Sequence, residues 1–228
     1  MTDSQVGSIK LLKQFNLKLF SSLFIVFVSV TSVIGQDKTT THYLFPEFYT
    51  GKVLMKTGNI EESRLNYNSL TEEMIFETKG KYLALTNIGL IDTVYIQNRK
   101  FIPVGKVFYE VPVNMKMPLL IKHTCRVIPP GNPTAYGGTS ETTSVTVINI
   151  LFQSGRAYNL KLPDDYKINA KTDFYLKSEN NYIRINKVKQ VIKCFPEKER
   201  EIKEFVKLHK TDFDNKEDLI DLIIFCNK

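Results

Sequence analysis

A chain of 228 residues, 43% of them hydrophobic, is long enough to bury a core without relying on disulfides. Its 31 Lys and Arg exceed its 24 Asp and Glu by seven charges, but the cations are scattered among acids. No basic stripe with interleaved aromatics appears, which argues against nucleic acid as a partner. The three cysteines, Cys125, Cys194 and Cys226, show no zinc-site spacing, and their odd number leaves at least one thiol unpaired.

The chain opens with an address. Lys10, Lys13 and Lys18 precede an uncharged run, Leu19 to Ile34, rich in Phe, Leu, Val and Ile. That run is shorter than the roughly 20 residues a bilayer core demands. It ends in Val33–Ile34–Gly35, and Gln36–Asp37–Lys38 begins a polar chain. Residues 1–35 read as a secretory signal peptide, with an uncleaved anchor as the alternative. No cysteine lies near the cleavage point, so lipidation there is not expected. Residues 1–35 hold three Lys and one Asp, so the remainder carries +5. That mild charge is compatible with peripheral attraction to an anionic membrane surface.

Gln36 to Thr50 is polar and then aromatic, with Tyr43, Phe45, Phe48 and Tyr49 around Pro46. It reads as a leader lying on the body, with one short strand. From Gly51 to Ile128 apolar runs recur as in a β meander: Val53–Met55, Leu65–Tyr67, Met74–Phe76, Tyr82–Leu85, Val94–Ile96, Val107–Tyr109 and Leu119–Ile121. Thr57–Gly58, Lys79–Gly80 and Asn98–Arg99 mark turns between them. In one strand Val107, Tyr109, Val111 and Val113 share a face opposite Phe108, Glu110 and Pro112. Pro112 lacks an N–H, which predicts a sheet edge or a bulge. In the next, Leu119, Ile121, His123, Cys125 and Val127 face one way, and Lys122, Thr124 and Arg126 the other. Period-two patterns with short connections predict antiparallel strands with one wet face.

Pro129–Pro130–Gly131–Asn132–Pro133 breaks the pattern, and a flexible loop is expected near 129–141. Strand character resumes over Ser144–Phe152 and in the alternation of Tyr158, Leu160 and Leu162. Phe174–Leu176 and Tyr182–Ile185 flank a hairpin turn at Ser178–Asn181. At Asn186, a candidate N-cap, the period becomes helical, with Val188, Val191, Ile192 and Phe195 on one face. Pro196 separates this helix from a second, Glu197–Lys210, whose inner residues are Ile202, Phe205 and Val206. Asn215 and Asp218 resemble a capping box opening a last helix with Leu219, Leu222, Ile223 and Cys226 inward. These elements predict an α+β fold. An antiparallel β body, sandwich or roll, spans 36–185, and a helical cap, 186–228, packs on it. An outer-membrane barrel fits less well, because its strands need about ten residues each.

Chemistry is sparse. His123 lies on an apolar strand face and reads as a core histidine; Cys125 is about 7 Å along the same face, too far for a pair. His42 and His209 are isolated. Asp212, Asp214, Glu217, Asp218 and Asp221 cluster as a calcium loop would, but the turn glycine is missing, and charge at a helix N-terminus explains them better. Asp164–Asp165 after Pro163 has the makings of paired glycosidase acids or of an ordinary turn. The loop residues Tyr136, Gly137, Gly138, Thr139 and Ser140 combine a mobile backbone, hydroxyls and one ring. They match neither a phosphate-binding loop nor a nucleophile elbow, and they stand as the candidate ligand- or partner-binding residues. No catalytic, metal-ligating or cofactor-binding motif is assigned.

Gly35–Gln36, Gly51–Lys52–Val53, Leu65–Asn66–Tyr67–Asn68, Phe108–Tyr109–Glu110–Val111, Tyr136–Gly137–Gly138 and the helical tail together resemble a group of uncharacterised exported proteins of Bacteroidota. The resemblance implies a place in the envelope of a diderm bacterium: periplasmic, outer-membrane-associated or secreted. It carries over no activity and no functional residue. The leading expectation is a non-enzymatic protein that binds an envelope protein or polymer. The alternative is a hydrolase of an envelope or extracellular polymer using Asp164, Asp165 or His123. A structural or regulatory subunit is a third.

Overall fold

The computed structural model describes residues 42–128, 132–133, 139–140, 167–179 and 181–228. The chain divides into two units, Met1–Thr39 and Thr40–Lys228, and the first, with the expected signal peptide, lies outside the described residues. The expected strands at 144–152 and 158–162 also lie outside them. No described helix is long and apolar enough to cross a membrane.

The second unit is α+β. Its strands are β1 (Tyr49–Met55), β2 (Ile60–Asn68), β3 (Glu73–Thr78), β4 (Lys81–Ala84), β5 (Ile91–Ile96), β6 (Arg99–Val104), β7 (Val107–Val113) and β8 (Leu119–Ile128). The pairs β9 (Asn132–Pro133) with β10 (Thr139–Ser140), and β11 (Lys167–Ser178) with β12 (Asn181–Ile185), follow. All but β9 and β10 join one open antiparallel sheet in the order β12-β11-β8-β7-β6-β5-β1-β2-β3-β4. Hairpins run in sequence order along each half, and β1 joins the halves by pairing with β5. Three helices close the chain: α1 (Val188–Cys194), α2 (Glu199–His209) and α3 (Lys216–Asn227).

The sheet curls. β2 and β8 are separated by β1, β5, β6 and β7 in the sheet order, yet the Tyr67 hydroxyl donates to the His123 carbonyl at 3.2 Å. The Cys125 N–H donates to the Ser69 carbonyl at 2.9 Å. Inside the curl Phe45, Leu65, Tyr67, Met74, Val94, Ile96, Phe101 and Phe108 form one core. Beyond it the same sheet face continues as Val113, Leu119, Ile121, Phe174, Leu176 and Ile185, and the helices cover these with Val191, Ile202, Leu219, Leu222 and Ile223. Asn227 straps the end of α3 to the sheet, accepting from the Met117 N–H at 2.9 Å and donating to its carbonyl at 3.1 Å.

The leader residues 42–48 lie on the body. Buried Asn66 donates to the Phe45 and Glu47 carbonyls, each at 3.0 Å, and accepts from the Phe45 N–H at 3.2 Å. Gly51 is required where β1 crosses β5, because a Cβ there would lie 2.5 Å from the Tyr95 carbonyl oxygen.

Local readings need correction in places. Arg99 is the first residue of β6 rather than part of a turn; the turn takes Gln97 in the left-handed conformation at φ 51°. Pro112 lies in an interior strand at a register shift between Glu110 and Val113, the bulge alternative. The shift returns Val113 to the face of Glu110, since they pair with Leu119 and Ile121, which share a face. Lys187, not Asn186, precedes α1 as N-cap and offers no side-chain bond, while Asn186 Oδ1 accepts from Gln190 Nε2 at 2.8 Å. Asn215 caps α3 through the Asp218 N–H at 3.0 Å, but the Asp218 carboxylate accepts from the Asp212 N–H instead of reciprocating.

Candidate functional site

Two polar constellations involve β8, one buried between β7 and β8 and the other open over β8 and β11. The buried one centres on Glu110, whose side chain is 3% exposed. It stands between the curl core and the helix-covered core. Arg99 grips it with two bonds, Nε to Oε1 at 2.9 Å and Nη2 to Oε2 at 2.5 Å. Lys216, the first residue of α3, donates to Oε1 at 2.8 Å. His123 Nε2 lies 2.7 Å from Oε2 and 3.1 Å from Arg99 Nη2. A nitrogen facing both an ionised carboxylate and a guanidinium donates to the carboxylate, so Nε2 carries the proton. The Arg99 guanidinium also lies over the Phe45 ring at 4.9 Å and the Phe101 ring at 5.5 Å.

The electrostatics are self-consistent. Burial pushes the Glu110 pKa up, but hydrogen bonds from His123 and Arg99, the Arg99 charge and the Lys216 bond outweigh it and hold the carboxyl well below its usual range. Burial lowers the His123 pKa despite Glu110, and Arg99 and Lys216 lower it further, so the imidazole is neutral at pH 7. A carboxylate saturated by three donor side chains is a poor general base, and the His123 side chain is only 11% exposed. This is a packed ion network joining sheet and tail.

The second constellation is an open groove of about 630 Å³ on the opposite face of β8 and β11. Its floor comes from the strand alternation. β8 turns Leu119 and Ile121 to the helix-covered core and Lys122, Thr124 and Arg126 outward, while Leu120 is fully buried. The register with β11 then places Lys122 beside Asp173, Thr124 beside Lys171 and Arg126 beside Asn169. One wall is the turn between β2 and β3. Asn68 Oδ1 accepts from the Leu70 and Thr71 N–H groups at 2.9 and 3.2 Å, which folds the turn, and the Ser69–Cys125 bond docks it on β8. Glu72, left-handed at φ 60°, then reaches Lys122 at 2.8 Å. A glutamate held at positive φ is costly, and such residues concentrate at functional sites. Asp173 pairs with Lys171 at 3.0 Å and with Arg184 at 2.5 Å. Along the strands from this row, Tyr175 meets Tyr109 with ring centroids 5.6 Å apart, and Tyr109 meets Tyr182 at 6.4 Å.

The residues singled out in the sequence distribute unevenly. Thr139 and Ser140 form β10 against Asn132–Pro133; Tyr136, Gly137 and Gly138 lie outside the described residues, as do Asp164 and Asp165. Because Ile128 pairs with Lys167, residues 129–166 leave and rejoin the sheet together, at the Arg126 end of the groove. His123 belongs to the ion network. Cys125 edges the groove as a buried thiol whose pKa burial pushes up to about 11, and all three cysteines are free. His209 stacks on Phe205 at 4.0 Å, and His42 packs on Tyr43 at 4.5 Å. Asp212 and Asp218 are spent on backbone N–H groups at the α3 entrance. Among the described residues, no cluster of three or more His, Cys, Asp or Glu is arranged to hold a metal. Sequence reasoning passed over Glu72, Asp173 and Glu110. Glu110 did leave a trace, as a lone acid between Phe108 and Pro112 on one strand face.

Compared with models of known families, with curated proteins and with solved structures, the chain has no match.

Proposed function

We propose that this chain is a non-enzymatic, exported binding protein of the cell envelope, and that it holds its ligand in the groove over β8 and β11. The observation that carries this reading is the groove itself: a concave, polar surface assembled from β8, β11 and a strained turn. Lys122, Arg126, Lys171 and Asp173 lie outside both cores, and of these Arg126 and Lys171 are exposed to solvent. Clefts with a few convergent polar groups are the default binding sites of proteins. Export rests on the N-terminal segment, Lys10 to Gly35. The hydrolase reading is supported less. His123 does meet a carboxylate, but that carboxylate is buried and already held by Arg99 and Lys216.

The test uses the full chain expressed with its own leader in a diderm host. Fractionation should find it in the envelope or medium; a cytoplasmic pool alone refutes export. Immobilised protein is then incubated with envelope extract beside a Lys122→Glu/Lys171→Glu variant. A component retained by the wild type and lost by a variant with an unchanged melting curve supports the groove. Equal retention by both places binding elsewhere and overturns the assignment.

A further inference from the structure

We infer that the ligand is an acidic glycan: an extended polysaccharide carrying uronic-acid carboxylates, lying along β8 and β11. This inference rests on the groove being the binding surface. Successive outward rows along the ladder are Lys122 with Asp173, Thr124 with Lys171, and Arg126 with Asn169; in the row before them Leu120 is fully buried and its partner Tyr175 half-buried. Each row is about 7 Å from the next, two residues along a strand. An extended ligand therefore meets aromatic rings at one end, a hydroxyl and charged pairs in the middle, and a cation with an amide at the other.

The chemistry of each row narrows the ligand. The cluster Tyr109, Tyr175 and Tyr182, with Tyr182 41% exposed, offers ring faces and phenol hydroxyls. Sugar rings present a C–H face to aromatic carbon and hydroxyls to the phenol rim. In the middle rows the carboxylates of Glu72 and Asp173 accept from hydroxyls while remaining paired with Lys122, Lys171 and Arg184. At the far end Arg126 is exposed, and no carboxylate among the described residues pairs with it. Its fork of donors suits a carboxylate in two-point contact. Lys122, Lys171 and Arg126 outnumber Glu72 and Asp173 by one, so the groove lining is cationic on balance.

Other polymers fit less well. A peptide strand needs a free sheet edge and apolar pockets. β12 covers the far edge of β11 only over Phe174–Ser178, so among the described residues an edge is open over Lys167–Asp173, but Ala170 and Cys125 are the apolar residues lining the groove among those described, and a peptide's side chains find no apolar pocket there. A nucleic acid calls for a basic stripe with interleaved aromatics, and here the cations of the groove alternate with Glu72 and Asp173.

The experiment titrates the full chain, expressed with its own leader, with an oligogalacturonate hexamer and with maltohexaose as the neutral control. Calorimetry reads affinity; tyrosine emission gives a second signal, since the chain has no Trp. The acidic hexamer should bind and the neutral one should not. Arg126→Ala should weaken binding about tenfold, the scale of one charge-assisted contact, and Tyr182→Ala should weaken it as well. Added salt should weaken the wild type and have less effect on Arg126→Ala. Equal binding of both hexamers, or an Arg126→Ala variant that binds as the wild type does, overturns the acidic class and leaves the groove standing if Lys122→Glu/Lys171→Glu abolishes binding. Failure to bind either hexamer, with an envelope component still captured through the groove, also overturns the glycan. Loss of both findings removes the groove reading as well.

Discussion

Replacing Glu110 by Gln tests whether the buried network holds the tail on the sheet. The substitution preserves shape, but every neighbour of the carboxylate is a donor: Arg99 twice, Lys216 and His123. The new amide brings N–H groups against those donors and leaves two cations without a counter-ion. Removing one partner of a buried ion pair costs roughly 3–5 kcal/mol. Arg99 and Lys216 are 26% and 31% exposed and recover some water, so the low end applies. A loss of about 3 kcal/mol corresponds to a melting temperature lower by roughly 6–12 °C in a chain of this size. Urea unfolding followed by circular dichroism measures it directly. A loss below about 1 kcal/mol would sink the reasoning, because Arg99 and Lys216 would then be as well solvated without Glu110 as with it.

The pH dependence supplies an independent check. The folded Glu110 pKa lies below its usual 4.5, so its contribution is present above that value and is lost as pH falls toward the folded one. The folded His123 pKa lies below its usual 6.5, so the unfolded chain takes up the proton first, and stability falls as pH drops below that value. Both signs agree: the wild type weakens as the solution is acidified from pH 7. Glu110→Gln should flatten the part of the curve below pH 4.5. An unchanged acid limb would mean that other carboxylates set it.

Gly51→Ala drives a Cβ to 2.5 Å from the Tyr95 carbonyl oxygen and 2.9 Å from Leu65 Cδ1, and the backbone contact cannot move aside cheaply. Overpacking of this kind costs about 1–3 kcal/mol, readable as a lower urea midpoint; an unchanged midpoint would show that β1 and β5 separate freely. Burial raises the Cys125 and Cys226 thiols to about 11 and also raises Cys194, the least buried of the three. Alkylation of the native protein at pH 8, mapped by mass spectrometry, should therefore find Cys194 first, and early labelling of Cys125 would refute its burial. Ending the chain before Asn186 uncovers Leu119, Ile121, Phe174, Leu176 and Ile185 and removes Lys216 from Glu110, so insoluble protein is expected. A soluble fragment with a cooperative urea transition would show that the helices are an independent module.

The parts of this fold that were legible are those written in local periodicity. The alternation from Leu119 to Val127 gives the inner and outer faces of β8 correctly, and the spacing of Leu219, Leu222, Ile223 and Cys226 gives the buried stripe of α3. Strand β6 was missed because Pro103 and the charged start Arg99–Lys100 argue against a strand. Pro103 lies past Phe101, where pairing with β5 ends, so no bond of that ladder needs its missing N–H. The ion network was illegible for a different reason. Glu110, Arg99, His123 and Lys216 come from three strands and a helix, and no sequence window contains Glu110 and Lys216 together. The groove is similar: Lys122 faces Asp173 only through the β8–β11 register, which residues 129–166 conceal.

That register explains why one ladder can serve stability and binding separately. On β8 the odd residues Leu119, Ile121 and His123 meet cores and network, while Lys122, Thr124 and Arg126 look outward. On β11 Phe174 and Leu176 turn inward, while Asp173 and Tyr175 do not. A slip of one residue would exchange the two sets and put charges into both cores, so the cores alone enforce the alignment of the outer rows. The outer side chains are then positioned by burial they take no part in. Substitution of Arg126 or Lys171 should leave the unfolding midpoint near the wild-type value, because surface changes away from packed features stay within about 0.5 kcal/mol. Substitution of Glu110 or Gly51 should shift the midpoint whatever it does to binding. A groove variant that unfolds the protein would mean that the ion pairs of Lys122 and Asp173 clamp β8, β11 and the Glu72 turn together, and the two faces would no longer be separable.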